Sequence, residues 1–160
     1  MSELERIADQ LRRAFDGDSW SGPALTQTLT GITAAQAAAR PWARVHSIGE
    51  LVRHLTTWTA TVTRRIEERK PKLMVGEDWP PFPAAADEAA WQQSRQELEA
   101  AHQQLVVITE TLPASELDLM LGEARERPDG SGVSIYVLLH GAVQHYLYHA
   151  GQIALLRKFV

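Results

Sequence analysis

Leu139-His140-Gly141-Ala142-Val143-Gln144-His145-Tyr146-Leu147-Tyr148-His149-Ala150-Gly151-Gln152-Ile153-Ala154-Leu155-Leu156-Arg157-Lys158 is the stretch on which the fold turns. Residues three and four apart lie on one face of an α-helix. Leu138, Ala142, His145, His149, Gln152, Ile153 and Leu156 therefore form one stripe of a helix predicted over residues 133–159. The stripe is mostly apolar, so it faces inward and carries two imidazoles with it. Arg157 and Lys158 stand where cations favour the helix dipole.

Working back along the chain, three more long helical patterns emerge, all separated by Pro, Gly and polar clusters. Asp87 is placed to cap a helix carrying Ala89, Trp91, Leu98, Leu105 and Ile108 and ending near Pro113. Ser47-Ile48-Gly49-Glu50 is a capping box, and behind it Leu51, Leu55, Trp58, Val62 and Ile66 keep one face to about Arg69. The threonines of that segment lower its intrinsic propensity, so packing must hold it. Ser2-Glu3-Leu4-Glu5 is a second capping box, followed by Ile7, Ala8, Leu11 and Phe15, with Gly17 as a stop. Short helical pieces are predicted at 23–29 and 33–39. Residues 70–86 hold four prolines and read as a loop. Residues 113–132 read as irregular, with one turn around Ser115-Glu116-Leu117. No β-strand pattern competes. The sequence is thus all-α, a four-helix bundle within one domain over residues 1–160.

Composition excludes several functions. The 160 residues contain no Cys, which removes thiolate metal sites, disulfides and nucleophilic cysteine chemistry together. A metal ion would have to sit on imidazoles and carboxylates. With 16 Lys+Arg against 20 Asp+Glu, the net charge is −4 and no basic block exists, so no nucleic-acid partner is expected. No apolar run reaches a membrane span, and Met1-Ser2-Glu3-Leu4-Glu5-Arg6 is not a signal peptide. A cytoplasmic location is expected.

Six histidines remain. His145 and His149 share the inward stripe. A buried imidazole needs partners for both nitrogens, and a metal ion, a carbonyl or a carboxylate can supply one. His54, beside Leu51, Leu55 and Trp58, adds an imidazole from another helix. Three nitrogen ligands from facing helices make a site with open positions, the catalytic rather than the closed structural arrangement. His140 lies about 140° round the helix from His145 and faces elsewhere. His46 reads as loop or surface, and His102, in Ala101-His102-Gln103-Gln104, as solvent-facing. Glu50, Asp9 and Glu97 are candidate general bases, each equally a capping or surface residue. Gln152 is a candidate hydrogen-bond partner next to the site, and Tyr148 and Tyr146 are candidates to line it.

The last helix resembles that of the DinB-like superfamily of bacterial DNA-damage-inducible and YfiT-type proteins, most specifically at Tyr148-His149-Ala150-Gly151-Gln152-Ile153. His46-Ser47-Ile48-Gly49-Glu50-Leu51-Val52-Arg53-His54-Leu55 with Trp58 is similar to the family's second helix, and Trp20 to Leu25 and Leu29 to Thr33 fit more loosely. The resemblance implies an up-down-down-up bundle and a divalent metal ion, zinc or nickel first, iron or manganese next, on His54, His145 and His149. It implies a hydrolase, or a transferase or isomerase using a low-molecular-weight thiol, acting on a small molecule and forming a homodimer. A thiol nucleophile would have to come from a cosubstrate. The alternatives are a non-catalytic metal-binding or stress-related scaffold and a metal-free helical interaction module.

Overall fold

Side-chain caps fix where the helices begin. In the computed structural model, described over residues 1–122 and 132–160, Ser2 and Glu5 exchange hydrogen bonds that open α1 (Glu3–Phe15). Ser47 and Glu50 do the same, at 2.8 and 3.2 Å, for α4 (Ile48–Glu68). Asp87 accepts the Ala90 N–H at 2.8 Å to start α5 (Glu88–Thr111), and Ser134 that of Val137 at 3.2 Å to start α6 (Ile135–Leu156). The two short pieces form as α2 (Leu25–Leu29) and α3 (Ala34–Ala38), the latter behind a Thr33–Gln36 capping box. A 3₁₀ turn, Ala114–Glu116, follows α5.

The four long helices form a ring in which α1 and α4 each touch α5 and α6. Their directions follow from named contacts. Phe82 packs against Gly49 at the start of α4 and against Trp91 near the start of α5, while Arg69 and Glu116 pair beyond their ends. Helices α4 and α5 are therefore parallel. Arg12 meets Glu110 and Phe15, a turn further on, stacks on His102, so α1 and α5 run oppositely. His54 meets His149 whereas Arg65 and Val133 share a wall, so α4 and α6 are antiparallel too. The result is an up-down-down-up bundle. Ile7, Leu11, Leu55, Leu105, Leu139 and Ile153 are fully buried at its centre.

Parallel α4 and α5 require a connection that travels the length of the bundle, and residues 70–86 supply it. Side chains of α4 fasten this loop. Arg65 donates to the Leu73 carbonyl at 2.8 Å, Thr61 accepts the Val75 N–H at 3.0 Å, and the Trp58 indole donates to Asp78 at 2.5 Å. Arg53 donates to the Pro81 carbonyl at 2.5 Å. Other threonines of α4 turn their hydroxyls back to the helix, Thr59 to Leu55 at 2.7 Å and Thr63 to Thr59 at 3.1 Å.

One expectation is corrected. A two-residue antiparallel ladder pairs β1 (Met120–Leu121), in the region read as irregular, with β2 (Val133–Ser134), where the last helix was predicted to begin. Alternation cannot register in two residues. Residues 123–131 of that region lie outside the described residues.

Candidate metal centre

Helices α4 and α6 bring three imidazoles together. His145 and His149, one turn apart on α6, face His54 from α4. The Nε2 atoms of His54 and His149 lie 3.1 and 2.9 Å from His145 Nε2. Among the described residues these three form the one group of His, Asp and Glu side chains able to converge on an ion, with ligand atoms within 4.8 Å of one another.

The partners of the outer nitrogens decide which way the lone pairs point. His54 Nδ1 is 2.7 Å from the Asp78 carbonyl, which can only accept, so this nitrogen carries the ring proton. The Asp78 carboxylate stands 3.2 Å away. His149 Nδ1 is 2.7 Å from Gln152 Oε1 and is protonated for the same reason. Both Nε2 atoms are left as lone pairs aimed at the third imidazole. Three such nitrogens cannot satisfy one another with the protons available, whereas a cation between them would use every lone pair. The donor set fits a divalent ion.

Burial keeps the cluster uncharged. It lowers His145 to about 3, helped by the repulsion between a proton there and one on His149 or His54. His149 falls to about 4, mainly through burial, against the opposing pull of Gln152. His54 is lowered by burial more than Asp78 raises it. All three are neutral at pH 7.

The Pro-rich loop closes one side. The Trp79 ring lies flat between His54 and His46, with centroids 3.8 and 3.7 Å away and planes within 8° and 5° of parallel. His46 is thus exposed, as expected, but stacked at the rim. Tyr148 is exposed with its ring edge-on to His149 at 5.0 Å. Tyr146 is buried instead, its hydroxyl 3.1 Å from Thr59 Oγ1. The candidate bases are occupied elsewhere: Asp9 pairs with Arg13, Glu97 accepts from Gln93, and Glu50 is held by Ser47 and Arg40. Although burial pushes Glu50 upward, those bonds keep its carboxyl below the usual range. His140 faces away, against Tyr136.

His102 is the residue misread. It is 5% exposed, stacked on Phe15 at 3.8 Å, with Nδ1 3.4 Å from the Tyr146 hydroxyl. The signal was present, because Leu98 and Leu105 place it on the apolar face of α5. Asp78 and Trp79 were missed outright, since a loop has no periodicity to read.

A four-helix bundle with three inward imidazoles on its second and last long helices is the class defined by this geometry. The sequence profile of the DinB superfamily matches residues 18–153, and the chain belongs to that superfamily. The crystal structure of a conserved protein from Enterococcus faecalis superposes with a TM-score of 0.74 at 19% identity, covering 100% of this chain and 98% of that one. That likeness shows the fold. Nothing among curated proteins matches the sequence.

Proposed function

We propose that this protein is a metal-dependent enzyme acting on a small organic substrate, by hydrolysis or by transfer to a low-molecular-weight thiol. The observation that carries the reading is the convergence of three neutral imidazoles, with the outer nitrogens of His54 and His149 already held by Asp78 and Gln152. His54, His145 and His149 would hold the ion, zinc or nickel before iron or manganese on the softness of the donors. Bound there, a divalent ion supplies Lewis acidity toward a water, a thiol or a carbonyl. The chain does the positioning: Gln152 and Asp78 fix the ring tautomers, and Trp79 covers His54 against solvent. With no Cys in the chain, a thiol must enter as cosubstrate. A scaffold site would be closed by a fourth protein ligand, and no described carboxylate joins the three histidines. We expect the active species to be a cytoplasmic homodimer.

Two measurements test this. Elemental analysis should find about one divalent ion per chain, lost in His149→Ala while helical circular dichroism is retained. Stoichiometric metal in that variant would sink the assignment. Metal-loaded protein is then offered electrophiles with bacillithiol, mycothiol, glutathione or water alone. Turnover confined to a thiol arm identifies a transferase, turnover in water a hydrolase, and silence in every arm the scaffold.

A further inference from the structure

Beside the histidine centre, between α4 and α6, lies a cavity of about 340 Å³ with His145 in its wall. Trp58, Val62, Val137 and Ala142 supply apolar surface. The hydroxyls of Thr59 and Tyr146 also border it, but they are bonded to each other. Arg65 is the charged residue of this wall among the described residues, and its guanidinium is engaged by the Leu73 carbonyl and Met74 sulfur and lies 5.4 Å from the Trp58 ring centroid. The lining therefore favours an uncharged, apolar group.

Gly141, also in the wall, is the informative residue. It sits inside α6, where glycine is disfavoured relative to alanine. Neither usual reason for a glycine applies. It is not among the positive-φ residues, and a Cβ built on it meets none of the described residues within 4 Å. Gly49 makes the contrast, since a Cβ there would overlap the Phe82 ring. What the absent side chain at Gly141 does leave is room in the cavity.

We infer that this cavity binds an uncharged aromatic or branched aliphatic group of the molecule acted on at the histidine centre, and that Gly141 sets the size admitted. The inference rests on that centre being the reactive site proposed above. An apolar cavity of about 150 Å³ accepts benzene, so this one has room for a ring with a substituent.

The test is fluorine NMR titration of the metal-loaded full chain with para-fluorotoluene, and with para-fluorobenzoate as the charged counterpart. The neutral probe should bind the more tightly. Gly141→Leu should weaken it about tenfold or more and Gly141→Ala about threefold, in proportion to the volume filled. Gly151→Leu, at the other α6 glycine with open space beside it and outside this wall, should leave affinity unchanged. Unweakened binding in Gly141→Leu with parental helicity, or tighter binding of the benzoate, overturns the inference. Should Gly141→Leu not fold, Gly141→Ala decides in the same way. His149→Ala should lose metal yet keep the probe. A parent protein that takes up no divalent metal, yet binds the probe and loses it in Gly141→Leu, would refute the metal reading and leave the cavity assignment standing.

Discussion

A buried imidazole has two nitrogens to satisfy, and His149 divides them between the cluster and Gln152. The amide oxygen, 2.7 Å from Nδ1, fixes the tautomer that frees Nε2. Removing that acceptor leaves Nδ1–H with no hydrogen-bond partner and lets the ring rotate. Gln152→Leu should therefore lower metal affinity about 10- to 100-fold, whereas Gln152→Glu, with an oxygen at the same reach, should stay close to the parent. Competition against a chromophoric chelator reads the difference, and equal affinity in the Leu variant would remove Gln152 from the site. His54 is held chiefly by main chain instead, through the Asp78 carbonyl at 2.7 Å, with the Asp78 carboxylate at 3.2 Å beside it.

At the scale of the element, caps and loops contribute differently. The Ser47–Glu50 box is buried and sets the start of α4, from which His54 follows two turns later. Ser47→Ala should cost about 1–2 kcal/mol, seen as a lower urea midpoint at unchanged slope, with metal affinity nearly unaltered because the helix body is held by packing. A changed slope would mean that the denatured or native state had altered as well. Caps of this kind are local, which is why Ser2, Ser47 and Asp87 could be read from sequence along with the helices behind them. Apolar stripes made His145, His149 and His54 legible in the same way. The role of the loop of residues 70–86 was not legible: Asp78 and Trp79 reach the site through tertiary bonds from Trp58 and stacking on His46. His102 failed for another reason, as Gln103 and Gln104 masked the stripe it shares with Leu98 and Leu105. Local polarity outweighed period there, and the period was right.

Across the whole molecule, the bundle interior selects for neutral histidine, and this ties stability to pH. His102 is the cleanest case because it lies outside the three-imidazole cluster. Burial, with a smaller push from Arg12, lowers it from 6.5 to about 4. Its neutral form is therefore favoured by folding. The sign follows: above the unfolded value near 6.5 both states are neutral and no stability is lost, while between 6.5 and about 4 the unfolded chain binds a proton that the folded one refuses. The loss completes as pH falls through the folded value and amounts to about 3 kcal/mol. His145 and His149 titrate in the same acidic range in the metal-free protein, so the informative quantity is a difference. His102→Gln should be less stable than the parent near neutrality, having lost the stack on Phe15, yet its stability should fall by about 3 kcal/mol less on acidification. Urea unfolding of both metal-free proteins at about pH 7.5 and about pH 4 measures this. Parallel losses in the two would show that His102 protonates as readily folded as unfolded, and would contradict its burial in the core.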